Sequence, residues 1–426
     1  MPGSWSDPIL FDFNGIDPSL FFDDDGKVYV QGAWDLNKGR RPKTQPSCTI
    51  MQFEIDLVTG KPVSEIKEIW GGYHKIDTEG PHIYKKDGWY YLLVAEGGTF
   101  ANHLLSIARS KNIWGPYESY EYNPLTSKTT RTEDAVIQDV GHAELFQDRK
   151  DVWWAIVLGI RNQQGRYPLG RETFLTPVSW PKDGWPSISQ PQLEFERDSI
   201  TSSPPVPSED RAAVRAAQRN VAREAELEFV FIRDPVSKNY NHPEDKKTIS
   251  LIPTSIDLSS PEGSPTFIGK RQRSLDCTAS VTLHLPSSHI PSSCPLIAGL
   301  AIYKDAFRHV SISYHHHPYS ASPDLSSNSS STPPKIVVQL TNISSSTTAD
   351  IGEAILPTLP SSVDLKIDAT EKAYILSYGM GEADFVTLGE IDTVEMTGRD
   401  FTGTLFGIFA IGEQGAVRFE DFEVED

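Results

Sequence analysis

Asp17-Pro-Ser-Leu-Phe-Phe-Asp-Asp-Asp-Gly-Lys-Val-Tyr-Val, residues 17–30, sets a small polar opening, an apolar pair and a charged turn ahead of an aromatic strand. The turn contains Asp25-Gly26, a strong hairpin signal between apolar runs. The same plan returns at Glu79-Gly-Pro-His-Ile-Tyr-Lys-Lys-Asp-Gly-Trp-Tyr-Tyr-Leu-Leu, whose turn is Asp87-Gly88. It returns again at His142-Ala-Glu-Leu-Phe-Gln-Asp-Arg-Lys-Asp-Val-Trp-Trp-Ala-Ile, so that the openings stand 62 and 63 residues apart. Short antiparallel units that cannot bury both faces alone predict propeller blades, with the polar openings converging on a central channel. About three such blades fit before residue 198, whereas closing a ring takes about four to eight.

Outward from this repeat, the texture changes at Thr201-Ser-Ser-Pro-Pro-Val-Pro. Ser208-Glu-Asp then caps an Ala- and Arg-rich run that reads as a short helix with acids in its first turn. Beyond it apolar residues alternate with period two, as in Ser280-Val-Thr-Leu-His-Leu and Ala373-Tyr-Ile-Leu-Ser-Tyr, which predicts the many short strands of a β-sandwich. The expected fold is therefore all-β: a partial propeller over 1–198, a linker with a short helix over 199–226, and a sandwich over 227–426. A Ser- and Pro-rich stretch at 320–334 reads as a loop between two sandwich strands.

The 426 residues carry a formal charge of −19, which argues against nucleic acid as a partner, because a polyanion binds to a basic stripe. No window approaches the roughly 18 uninterrupted apolar residues of a membrane helix. Cys48, Cys277 and Cys294 are too few and scattered for a disulfide scaffold or a zinc site, and Cys277 and Cys294 read equally as a bond between neighbouring strands or as two unpaired thiols. The start, Met1-Pro-Gly-Ser-Trp, has no basic or apolar signal region, so the expectation is an intracellular protein or a start that is not the natural one.

Nucleophile elbows, zinc-protease helices and phosphate loops are missing from the sequence, which leaves carboxylates at the repeated openings as candidates. Paired carboxylates suit glycosidic bond cleavage, where one acid protonates the leaving oxygen and a second carboxylate activates water. Here the residues become specific. Gly15-Ile-Asp-Pro-Ser-Leu-Phe-Phe, Glu79-Gly-Pro-His, Ala95-Glu-Gly-Gly-Thr, Gly141-His-Ala-Glu-Leu and Leu169-Gly-Arg-Glu-Thr closely resemble glycoside hydrolase family 43. That resemblance covers most of residues 5–198 and continues, more weakly, around Gly269-Lys-Arg-Gln and Phe419-Glu-Asp-Phe.

The resemblance implies a five-bladed propeller joined to a concanavalin-like sandwich, and inverting hydrolysis of xylosidic or arabinosidic bonds in xylo- or arabino-oligosaccharides. It implies Glu79 as general acid and Asp17 as the aspartate that orients the acid and tunes its pKa. Arg171 and Thr99 would hold the sugar, and His142 would stand beside an ion or water. The bland readings are a turn aspartate, a solvated glutamate, a surface salt bridge and a hydrogen-bonded core histidine. No cofactor is required, and a structural calcium in the propeller channel is the one ion the resemblance offers. His315 to His317 read as a solvated strand edge, because consecutive strand residues face opposite ways. Asp23-Asp-Asp-Gly reads as a turn, and Trp89, Trp153 and Trp154 as blade packing.

One departure stands out. The family's general base lies in an Asp-Pro-Ser-like opening well upstream of the segment that begins here at Trp5, so the expectation is a chain truncated relative to the family and weak or inactive alone. The alternative is a relic or carbohydrate-binding protein that lacks the base.

Overall fold

The computed structural model describes residues 7–37, 46–98, 102–126, 136–195, 229–241, 247–285, 295–316, 333–342, 347–356, 360–381, 383–398, 400–413 and 415–426. The proposed linker helix at 199–226, Thr99, Cys294, His317 and nearly all of the 320–334 stretch lie outside them. Contacts gather the chain into two units, residues 1–162 with 171–205, and residues 163–170 with 206–426.

The first unit contains three antiparallel meanders. The first has β1 (Ile16–Phe22), β2 (Val28–Asp35), β3 (Cys48–Asp56) and β4 (Lys61–Pro62) in that order, with β5 (Lys67–Trp70) also on β3. In the second, β6 (Glu79–Lys86), β7 (Trp89–Glu96), β8 (Leu104–Ser110) and β9 (Glu118–Ser119) follow one another. The third repeats this with β10 (Gln138–Gln147), β11 (Trp153–Ile160), β12 (Glu172–Ser179) and β13 (Ser187–Ile188). The Asp-Gly turns close as their sequence requires: Gly26 and Gly88 have φ of +83° and +73°, and the Gly26 amide donates to the Asp23 carbonyl at 3.0 Å.

Successive meanders stack through shared apolar cores. Ile83 of the second meander packs with Tyr29, Ala33 and Ile50 of the first. Leu145 of the third packs with Tyr91, Leu93 and Leu105 of the second. Leu20 occupies the corresponding place on β1 and is 50% exposed, against 7% for Ile83 and 3% for Leu145. The difference is one of neighbours: the first meander has no earlier sheet among the described residues against which to bury that face. Trp154 is buried and Trp153 packs on Trp180, as the packing reading required.

The second unit is a sandwich of two seven-stranded sheets. Its strands are β14 (Val230–Phe231), β15 (Tyr240–Asn241), β16 (Thr248–Leu251), β17 (Thr266–Arg271), β18 (Cys277–His284), β19 (Leu296–Asp305) and β20 (Arg308–His316). They are followed by β21 (Lys335–Asn342), β22 (Thr347–Ile355), β23 (Ser362–Ala369), β24 (Ala373–Gly379), β25 (Val386–Asp392), β26 (Leu405–Gly412) and β27 (Val417–Glu425). One sheet runs β14-β17-β26-β19-β20-β21-β22 and the other β15-β16-β27-β18-β23-β24-β25. Their facing side chains, among them Leu300, Ile312, Val338 and Phe406 from one sheet and Val281, Ile367, Tyr374 and Phe419 from the other, form one continuous core.

One detail differs from the sequence reading. His315 is buried in the middle of its sheet, between β19 and β21, with Nε2 3.0 Å from Ser313 Oγ, so it is not a solvated edge. Cys277 is a buried free thiol whose Sγ donates to the Ser274 carbonyl at 3.5 Å, and burial pushes its pKa up to about 12. Cys277 thus agrees with the unpaired-thiol reading, and Cys294 lies outside the described residues.

Candidate active site

The first strand of every meander is bulged at the same place. Ile16 faces Ala33 but Ser19 faces Gln31, Glu79 faces Ala95 but His82 faces Leu93, and Gly141 faces Leu158 but Glu144 faces Ile156. Each time three steps on the first strand meet two on its partner, so one extra residue is pushed out of register. The residue following the last regular pair is left-handed: φ is 53° at Asp17, 55° at Gly80 and 43° at His142. The backbone thus equates Asp17 with Gly80 and His142, and places Glu79 one step earlier, level with Ile16 and Gly141. Sequence alignment on polar type had set Glu79 level with Asp17.

These three left-handed residues touch in succession. The Gly80 amide donates to Asp17 Oδ2 at 3.0 Å. A Cβ at Gly80 would lie 2.9 Å from His142 Nε2, so glycine is required there both for its φ and for the His142 ring. Arg171 follows Gly170, whose φ is +67°, and immediately precedes β12. Burial draws the Arg171 guanidinium below its usual pKa, while the carboxylates of Glu79 and then Asp17 oppose that pull. Burial likewise lowers His142, with Asp17 opposing and His82 and Arg171 reinforcing the shift. The structure therefore brings Asp17, Glu79, His142 and Arg171 into one electrostatic neighbourhood, while Thr99 lies outside the described residues.

Below this ring is a polar layer that the sequence reading missed. His82 Nδ1 lies 2.8 Å from Glu144 Oε2 and 3.2 Å from Ser19 Oγ. Tyr84 donates its hydroxyl to Glu144 Oε1 at 2.8 Å and accepts from the Leu145 amide at 2.8 Å. Burial alone would raise the Glu144 pKa, but the bonds from His82 and Tyr84 outweigh it and hold the carboxyl below the usual range. Ser19, His82 and Glu144 all stand two residues beyond the left-handed position, and that periodicity was the available signal.

His103 was also missed. Its Nδ1 lies 3.2 Å from the Asp139 carbonyl, and its buried Nε2 has no hydrogen-bond partner. Burial holds its pKa down at about 4. A calcium ion takes roughly six to eight oxygen ligands. The neighbourhood holds imidazoles as well as carboxylates, and no group of three or more His, Cys, Asp or Glu side chains among the described residues is placed to hold a metal ion. The residues do not fit a protein-built calcium cage, and no step below uses one.

Glu96 is not a second acid of this site. It is fully buried and accepts hydrogen bonds from the loop that precedes Glu79.

Comparison with known proteins finds matches in both units. The profile of glycosyl hydrolases family 43 matches residues 1–186, and that of the β-xylosidase C-terminal concanavalin A-like domain matches residues 222–425. The chain belongs to glycoside hydrolase family 43. Among its family 43 relatives, the non-reducing end α-L-arabinofuranosidase of Bacteroides ovatus is 35% identical over 72% of this chain and 54% of its own length. A xylosidase/arabinosidase of Butyrivibrio fibrisolvens is 32% identical over 73% of this chain and 59% of its own. The chain thus spans little more than half of either relative. In fold, the xylan β-1,4-xylosidase of Bacillus halodurans superposes with a TM-score of 0.76 at 27% identity, covering 100% of this chain and 79% of that one. The family 43 fold here is the expected one, a partial propeller followed by a concanavalin-like sandwich.

Proposed function

We propose that this family 43 chain carries the acid side of an inverting glycosidase acting on xylosidic or arabinosidic ends of oligosaccharides. The observation that carries the reading is the Gly80 bond to Asp17 Oδ2, which sets a carboxylate against the backbone directly after Glu79. Glu79 protonates the departing glycosidic oxygen. In this reading the Asp17 carboxylate disfavours ionisation of Glu79, and the Arg171 guanidinium opposes that effect. Arg171, which interacts with both carboxylates, presents a planar fork of donors to sugar hydroxyls. Inversion also requires a carboxylate on the opposite face of the sugar to activate water, a role that none of Glu79, Asp17 and Arg171 fills. The names of the two relatives, an arabinofuranosidase and a xylosidase/arabinosidase, favour pentose substrates.

The test is hydrolysis of alkyl and 4-nitrophenyl xylosides and arabinofuranosides by the chain extended ahead of Met1 with a blade that carries an Asp-Pro-Ser-like opening, with sugar binding followed by calorimetry. Glu79→Gln should lower turnover of the alkyl glycosides by about two to four decades and that of the nitrophenyl glycosides by less, since an activated leaving group needs little protonation. Equal losses on both would remove Glu79 from the acid role. Binding of hexoses in preference to xylose and arabinose would overturn the substrate class.

A further inference from the structure

We infer that Glu96 is a positioning residue for Glu79, acting through the loop of residues 71–78. This rests on the reading of Glu79 as the acid. Glu96 ends β7 and is fully buried, and the neighbouring Ala95 is the ladder partner of Glu79. A carboxylate is an acceptor only, and burying one is costly unless donors surround it. Here the donors come chiefly from the loop that enters β6. The His74 and Lys75 amides donate to Oε1 at 2.9 and 2.8 Å, and the Tyr73 amide donates to Oε2 at 3.0 Å. Ser106 donates its hydroxyl to Oε2 from β8. The Thr78 hydroxyl lies 3.2 Å from Oε1 and equally 3.2 Å from the Gly71 carbonyl, dividing one proton between them.

The loop needs this anchor because its backbone is bent against preference. Gly72, Lys75 and Asp77 are left-handed, with φ of 86°, 62° and 47°. Lys75 carries a side chain that disfavours that region, and such strain persists only where the surroundings over-determine it. Gly72 also approaches so closely that a Cβ would lie 2.2 Å from Glu96 Oε1. Further bonds pin the loop: Gly97 donates to the Ile76 carbonyl at 2.8 Å, the Asp77 amide donates to Ser47 Oγ at 2.7 Å, and the Ser47 amide and hydroxyl donate to the Lys75 carbonyl and Asp77 Oδ1, each at 3.2 Å. Glu79 is therefore held from two directions by one carboxylate, through Thr78 before it in the chain and through Ala95 across the ladder.

The experiment titrates Glu79 directly, by carbon-13 NMR of chain labelled at glutamate carboxyls, with its resonance identified by its loss in Glu79→Gln. The charged and titratable groups around Glu79 and its neighbours include Arg171, Asp17, His142, His82 and Glu144, and all remain in the variants compared. Glu96→Gln replaces one acceptor oxygen by a donor, and Thr78→Val removes only the hydroxyl. Both variants should move the Glu79 midpoint by about half a pH unit or more, because its distance from these charges changes. Glu96→Gln should lower the Tm clearly, whereas Thr78→Val should stay within a few degrees of the parent. An unchanged Glu79 midpoint in Thr78→Val overturns the inference, even if Glu96→Gln does not fold. Failure of the acid reading would appear separately, as unaltered hydrolysis in Glu79→Gln.

Discussion

The amide of Gly80 and the carboxylate of Asp17 lie 3.0 Å apart, joining two residues that occupy the same left-handed bulge in successive meanders. The bond fixes the charge of Asp17 beside the chain that carries Glu79. It also makes Asp17 separable into two functions, a backbone role that asparagine can fill and an electrostatic one that it cannot.

Asp17→Asn should therefore keep the fold and change the chemistry. Asparagine tolerates φ near +53° and retains an oxygen for the Gly80 amide, so Tm should change little. Loss of the negative charge makes Glu79 easier to ionise, and the alkaline limb of the activity profile should move to lower pH. Asp17→Val adds a β-branched side chain at a left-handed position and should cost about 1–3 kcal/mol in urea denaturation. An unmoved alkaline limb in Asp17→Asn would leave Asp17 a backbone role alone.

Arg171→Lys should weaken xylose or arabinose binding severalfold while the Tm stays nearly constant. An ammonium keeps the charge opposite Glu79 and Asp17 but not the planar fork. Calorimetry and thermal melts on the same preparation separate the two effects. A large fall in Tm with intact affinity would make Arg171 a structural arginine.

His103 predicts an acid-sensitive first unit. Its folded pKa of about 4 lies below the ordinary value of 6.5, so between these values the unfolded chain binds a proton that the folded chain does not. Stability is then full above pH 6.5 and is lost as pH falls towards 4, by on the order of 3 kcal/mol for this one group. Denaturation of the parent and of His103→Gln across this range should show a shallower slope in the variant. Parallel curves would assign the acid sensitivity elsewhere.

Leu20 and Leu145 hold equivalent places with unequal cover, 50% and 3% exposed. Leu145→Ala should cost about 2–4 kcal/mol and Leu20→Ala less than about 1 kcal/mol. Adding ahead of this chain a blade with an Asp-Pro-Ser-like opening should bring the Leu20 cost towards that of Leu145 and raise hydrolysis. Equal costs in the chain as it stands would mean that the Leu20 face is already covered.

The meanders, the Asp-Gly turns and the sandwich alternation were legible because each is a local preference repeated in the sequence. Asp17, Glu79, His142 and Arg171 were found through the resemblance, and spacing alone equated Glu79 with the wrong partner. The reason is the bulge: it inserts a residue into the backbone count without altering polarity, so an alignment by residue type slips by one. His82 and Glu144 follow the bulge by two residues and become visible only once its place is known. Glu96 and His103 gave no signal, because their roles depend on backbone groups 21 or more residues away that the fold brings to them.

The repeated bulge also restricts what natural variation or a mutagenesis library can place around Asp17. A left-handed backbone favours glycine, asparagine and aspartate, with histidine also enriched, and strongly disfavours β-branched side chains. The three positions here hold Asp17, Gly80 and His142. Their reachable alphabet is short, polar and rich in proton-carrying groups, so random substitution at these sites samples acid–base chemistry far more often than hydrophobic packing. The backbone acts as a filter on side-chain chemistry before any selection for activity is applied.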